Sequence, residues 1–296
     1  MANTIALANK FLPILDEIYR RESLTSELDS KTKPIEFNNV NQVQIFRTQV
    51  VGMGDYDRST GYPAGDVNAS WETVTLTQSR GRAFSVDRMD DEETLGMAFG
   101  TLAGEFIRTQ VVPEVDAYRF SRWASWNGIG APAAAALANA AATLAAIDVA
   151  SGVLDDNEVP QEGRILYISQ PQYRQLTGAV TRSLENQNKF DRRLRQLDEM
   201  KIVPVPQGRF YTAITTNPGD QSNQGGYTKA AGATDLNFIL MHPSSIEQAT
   251  KLANLKIFSP DENQLTDSWL LQYRLYHDAW VYAAKVGGIY RHASNA

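Results

Sequence analysis

The sequence predicts an α+β chain whose own core does not complete it. Three observations carry that reading. An apolar stripe at helical spacing runs from Asp90 to about Trp126. Two Thr- and Val-rich runs, 40–53 and 67–88, flank a glycine-rich turn region and read as one long two-stranded ribbon. Short apolar runs at 165–168, 201–206 and 236–241 alternate with helical stretches and read as buried strands of a separate α+β unit.

The first element is an arm. Leu7, Phe11, Ile14, Leu15 and Ile18 share a helical face within residues 1 to about 33, a segment too short to fold alone. It docks either on its own domain or on a neighbour. It lacks the basic leader of a signal peptide and meets Asp16 and Glu17 early. The ribbon follows, closed by GMGDYDRSTGYPAG. Few of its residues can supply a core, and a two-stranded ribbon alone in water is marginal. It is either a free surface hairpin or a structure laid on another surface, with Arg58, Tyr62 and Trp71 as contact candidates.

The long helix comes next. Asp90 or Asp91 can cap it, and Glu92 and Glu93 suit its first turn. Leu95, Phe99, Leu102, Phe106, Val111, Val115 and Tyr118 form its stripe. Roughly 35 residues at about 1.5 Å each reach on the order of 50 Å. Pro113 predicts a kink or break just before it. Gly96, Gly100 and Gly104 form a ridge without side chains, suited to close packing by a neighbouring backbone or within the chain. Asp91, Glu92, Glu93, Glu105 and Arg108 exclude a membrane-spanning dimer face.

The alanine-rich run before Val159 predicts a small-residue helix, with Leu144, Ile147, Val149 and Val153 toward a core. Strand Ile165 to Ile168, a turn at Pro171 and a short helix follow. Residues 217–235 read as a loop. Arg182, Arg192, Arg193 and Arg195, interleaved with acids, read as a solvated helix face or a subunit contact. Strands at Leu255 to Phe258 and Leu270 to Val286 close the chain.

The chain has 296 residues, 43% hydrophobic, 21% charged, with net charge −6 and no cysteine. Disulfides and thiolate metal sites are thereby excluded. A dedicated DNA reader would be basic. No metal-ligand spacing joins His242, His277 or His292 to a second ligand. His277 and Asp278, adjacent in a strand, point to opposite faces. There is neither a G-x-S-x-G elbow nor a phosphate loop. The expectation is no catalysis, no cofactor and no metal, with a globular enzyme as the remote alternative.

Several strings, in order, resemble the tailed-bacteriophage major capsid proteins of the Hong Kong 97-like fold. GYPAGDVNASWETVTLTQSRGRAFSVDRMDDEET resembles the far strand of the extended loop entering the spine helix, and VVPEVDAYRFSRWA that helix's end. GRILYISQPQYRQL resembles the first strand and helix of the axial domain. FILMHPSSI, KIFSPDENQ and QYRLYHDAWVYAAKVGGIYRH resemble the return into the peripheral domain.

The resemblance implies an N-terminal arm (1–38), an extended loop (39–88), a peripheral domain with the spine helix (89–135 and 250–296) and an axial domain (136–249). It implies pentamers and hexamers of an icosahedral virion shell, assembled in the bacterial cytoplasm around double-stranded DNA without sequence-specific binding and with no membrane. Some family members crosslink a loop lysine to a neighbour's asparagine. No lysine lies between Lys33 and Lys189, so that route is closed and a cement protein becomes an optional partner. Only about 35 residues precede the ribbon, which predicts a separate scaffolding protein; a portal protein is the other expected partner. An encapsulin-like compartment shell is the alternative role.

Overall fold

The computed structural model describes residues 23–29, 42–89, 97–179, 194–220 and 224–295. After a single helical turn α1 (Ser26–Asp29) come β1 (Gln42–Val50), β2 (Val67–Thr75) and β3 (Gln78–Asp87). The spine is α2 (Met97–Phe106), a π-helical turn (Ile107–Val111) and α3 (Val112–Ala124), joined without leaving helical dihedrals. Then follow α4 (Ala140–Asp156), β4 (Ile165–Ser169), α5 (Gln170–Ala179), β5 (Gln196–Leu197) and β6 (Met200–Val205). The chain closes with β7 (Ile214–Thr216), β8 (Tyr227–Lys229), β9 (Leu236–Met241), β10 (Ile246–Phe258), β11 (Ser268–Val281) and β12 (Ile289–Ala293).

The interior is built on a mixed five-stranded sheet, ordered β12-β9-β4-β6-β5. β4 and β9 are buried along their whole length, as their unbroken apolar runs predict. Alternation divides β4 between two cores. Ile165 and Tyr167 face Phe120, Trp123 and Phe210, while Leu166 and Ile168 face Ile147 and Leu154 of α4 and Leu176 of α5. Each fully buried Leu, Ile or Phe contributes about 1.5–3 kcal/mol.

A second sheet, β10-β11-β3, lies under the spine. Leu271, Tyr273 and Leu275 meet Ala103, Ile107, Val111 and Val115 there. Of the stripe read from sequence, Val111, Val115 and Tyr118 are buried, Phe106 packs half-buried against this core and Leu102 is half-buried, while Ala103 and Ile107 take inward positions the stripe did not include; Asp90, Asp91, Leu95 and Gly96 lie outside the described residues. The break expected before Pro113 takes a milder form. Proline lacks the N–H and crowds the preceding turn, and the π-helical turn ending at Val111 widens the backbone there without interrupting the helix.

Four local expectations are corrected. The run 67–88 is two strands, because Leu76 turns inward to 3% exposure. β2 pairs with β1, whereas β3 leaves the ribbon and pairs with β11 from Ser268↔Asp87 to His277↔Gln78. The alanine run is helical only from Ala140, where Asn139 accepts the N–H of Ala142 at 2.8 Å. Before that, Ala135 donates to the Ala293 carbonyl and accepts from Asn237 Nδ2, so tertiary bonds take the groups a helix would use. Val149 faces solvent at 58% exposure, while Ile147 is buried and Leu144 and Val153 pack against the core. Pro171 is in the first turn of α5 rather than in a separate turn, since that position needs no N–H.

The expected loop 217–235 contains β8, paired with β7. The last strand, β12, joins β9 in the five-stranded sheet. Arg195 is exposed and outside any helix; Arg182, Arg192 and Arg193 lie outside the described residues.

Candidate assembly surfaces

Among the described residues, the ribbon is held at its root. Val43 and Leu76 pack with Ala249 and Trp280. From that contact the β1–β2 ladder runs outward, nine residue pairs in all from Gln42↔Thr75 to Val50↔Val67, with most side chains of β2 in solvent. Phe46 and Trp71 are cross-strand partners 5.0 Å apart between ring centroids, yet 55% and 62% exposed. At the tip Tyr56 and Tyr62 meet at 4.9 Å with 59% and 88% exposure.

The tip itself is well made. Asp57 and Gly61 exchange backbone bonds, and Gly61 takes φ 83°. The Asp57 carboxylate accepts the backbone N–H and the hydroxyl of Ser59, both at 2.8 Å. Those bonds hold its pKa below the usual carboxylate value. An ordered blade carrying most of the exposed large apolar side chains among the described residues is a candidate interaction surface. Of the contact candidates, Arg58, Tyr62 and Trp71 are together on this blade and exposed. Gly100 and Gly104 lie in α2, away from it; Gly96 and Phe11 are outside the described residues.

The root of the arm docks on its own chain. Asp116, fully buried on α3, accepts from Ser23 Oγ at 2.8 Å, from the Leu24 N–H at 3.0 Å and from Thr25 Oγ1 at 2.8 Å. Arg209 Nη1 reaches it at 3.3 Å. One turn on, the buried Arg119 donates to Thr25 Oγ1 at 2.8 Å and pairs with Asp29 at 3.1 Å. Leu28 enters the core beside Phe120, and Lys201 pairs with Glu27. Sequence reading missed this knot. Its signal was there: an Asp and an Arg three apart inside an apolar helical stripe, where unpaired charge would be costly.

A third cluster joins the spine to the sheet. Arg80 of β3 forms an ion pair with Glu114 at 2.5 Å and donates to the Asn217 and Gly226 carbonyls. Tyr118 donates to Asp278 at 2.7 Å while its ring meets His277 edge-on at 5.4 Å, so one tyrosine contacts both residues of that dipeptide. Burial, reinforced by Asp278, pushes the Tyr118 pKa up to about 12.

Burial first, then Arg119 and Arg80, pushes the His277 pKa down from 6.5 to about 3. A depressed pKa on a base means that the fold holds the neutral ring. Its contribution is complete above pH 6.5 and is lost progressively as pH falls from there toward about 3. His277→Gln, which cannot charge, should therefore lose less melting temperature than wild type between about pH 7 and about pH 4.5. Equal losses in the two proteins would show that His277 does not drive acid sensitivity.

His292 Nδ1 meets Asn237, and His242 Nδ1 meets Ser244. Among the described residues no three His, Asp or Glu side chains are grouped to hold a metal, and no helix is long and apolar enough to cross a membrane.

No protein-family model matches the sequence, and no curated protein matches it. Solved structures do. A chain of the cyanophage P-SCSP1u capsid matches with TM-score 0.61 and 11% identity over 87% of this chain and 84% of that one. A chain from the mature capsid of bacteriophage PhiM1 matches with TM-score 0.58 and 15% identity, over 87% and 83%. The virus-like particle from Pyrococcus furiosus matches with TM-score 0.56 and 11% identity, over 96% and 98%. The chain therefore has a mixed α+β fold of the kind found in capsid shells. Within that class, the likeness to phage capsid chains is the one the sequence strings anticipated.

Proposed function

We propose that the chain is a major capsid protein of a tailed double-stranded DNA bacteriophage, a structural protein that assembles with copies of itself into pentamers and hexamers of an icosahedral shell. The observation that carries this reading is the ribbon: an ordered, aromatic blade that, among the described residues, is attached at its root, on a fold shared with capsid chains. In Hong Kong 97-like terms, β1–β2 is the extended loop, the spine with β10-β11-β3 the peripheral domain, and the five-stranded sheet with α4 and α5 the axial domain. On this assignment β3 passes from the expected loop to the peripheral sheet, and β12 from the expected peripheral return to the axial sheet.

A separate scaffolding protein, a portal, an optional cement protein and enclosed DNA are the partners that follow. Net charge −6 suits a wall that contains DNA without gripping it, because each neutralised phosphate adds affinity. The virion capsid is its place, reached by assembly in the host cytoplasm. The second reading, an encapsulin-like compartment, is favoured by the coverage of the Pyrococcus furiosus particle.

Size-exclusion chromatography and negative-stain microscopy of purified protein test the proposal. Capsomers or closed shells are the expected result, and a persistent monomer overturns it. Particles isolated with packaged protein instead of DNA would favour the second reading. Deleting Asp55 to Ala64 should leave a soluble, folded subunit with a near-normal melting temperature and few shells. Wild-type particle yield from that deletion would remove the tip from the interface.

A further inference from the structure

We propose that the cleft between the spine and the β3–β11 ladder binds a small neutral aromatic molecule carrying one N–H or O–H donor, of about the size of indole. The site belongs to the single chain and is separate from the shell-forming reading. The cleft holds about 420 Å³, within the range of ligand pockets. Its walls are aromatic. Phe84 of β3 meets Phe106 of the spine edge-on, with ring centroids 4.8 Å apart, and Phe106 meets Tyr273 of β11 edge-on at 6.0 Å. All three line the cleft, and the fold buries Phe84 and Phe106 only in part. A flat ring placed among them gains edge-to-face contacts that an aliphatic group does not.

His277 supplies the polar group. It lines the cleft, is 3% exposed, and its Nδ1 is buried without a hydrogen-bond partner. Buried polar atoms nearly always have partners, so an exception calls for a reason. The ring is held neutral by burial and by Arg119 and Arg80, and a neutral imidazole keeps one acceptor nitrogen. The χ2 torsion of histidine is broad, so a small turn presents Nδ1 to the space, where the ligand's donor completes it. The charges in the lining are already engaged. Arg80 is paired with Glu114 at 2.5 Å and bonded to two carbonyls. Arg82 is exposed to water and donates to the Gly219 carbonyl at 3.2 Å. A charged ligand would lose its hydration and find no unpaired buried countercharge, which makes the neutral class the one that fits. Seated there, the ligand bridges the spine and the sheet beneath it.

Calorimetric titration of the purified chain with indole tests the site. One saturable site per chain is expected. The analogue 1-methylindole lacks the donor and should bind at least tenfold more weakly despite its added apolar surface. In His277→Phe, which keeps a ring and loses both nitrogens, that difference should shrink to less than twofold. A crystal of the unaltered chain soaked in 5-bromoindole gives a second measurement that needs no variant: the anomalous peak of bromine should lie among Phe84, Phe106 and Tyr273. No saturable binding of indole, equal affinity for the two indoles, or a difference that survives His277→Phe each overturns the site. A bromine peak elsewhere overturns it as well, and a peak in the cleft without saturable binding in solution is binding at crystal concentration only and does the same. None of these outcomes bears on whether the chain forms shells, so this site and the capsid reading fail separately.

Discussion

Asp116→Ala is expected to cost the subunit about 3–5 kcal/mol, the range for breaking a buried charge cluster from one side. The carboxylate has no exposure and satisfies two hydroxyls, one backbone N–H and Arg209. Its removal leaves the Leu24 N–H without its acceptor and Arg209 without its carboxylate partner. The segment 23–29 should then leave the spine, taking Leu28 out of the core. Denaturant titration would show a lower midpoint, and limited proteolysis would cut near residue 29 in the variant first. Thr25→Val removes one hydroxyl and should cost about 1 kcal/mol. A loss below about 1 kcal/mol for Asp116→Ala would mean that the arm root is dispensable to the fold.

The second large effect falls on assembly and spares folding. Phe46 and Trp71 touch each other and are both more than half exposed, so replacing both by alanine removes little that the isolated subunit buries. The expected change in its stability is about 1 kcal/mol or less. On the proposed assembly the same two rings would be buried against a neighbour, each contributing about 1.5–3 kcal/mol. Their joint loss weakens every such contact by about 3–6 kcal/mol, or roughly a hundred- to ten-thousandfold, at 1.4 kcal/mol per factor of ten. Light scattering against protein concentration should show the onset of assembly displaced upward by at least that lower factor. An unchanged onset would mean that the blade faces solvent in the particle.

How far the sequence could be read follows from the range of the interactions involved. β4 and β9 were legible because unbroken apolar runs have few alternatives to a doubly covered strand. The spine was legible because its stripe repeats over many turns. The alanine run misled because propensity is a weak prior; the bonds of Ala135 to Ala293 and Asn237 join residues more than a hundred positions apart. The departure of β3 from the ribbon depended on Leu76, whose inward turn is one residue in an otherwise even Thr–Val alternation. The arm root was unreadable for the same reason. Its partners lie about ninety residues away, and Ser, Thr and Asp carry no apolar period.

The ribbon and the sheet beneath the spine share one uninterrupted peptide, with only Leu76 and Thr77 between β2 and β3. Thr77 is anchored there, donating its N–H and its hydroxyl to Asp278. Traction on the blade by a neighbour is thus delivered straight into a strand that holds β11 over ten residue pairs. Loaded along its axis, such a ladder resists with its rungs together, whereas a strand peeled from one end yields them singly. A wall swelling under internal load would tighten across these joints like woven cloth, and its weakest places would lie elsewhere.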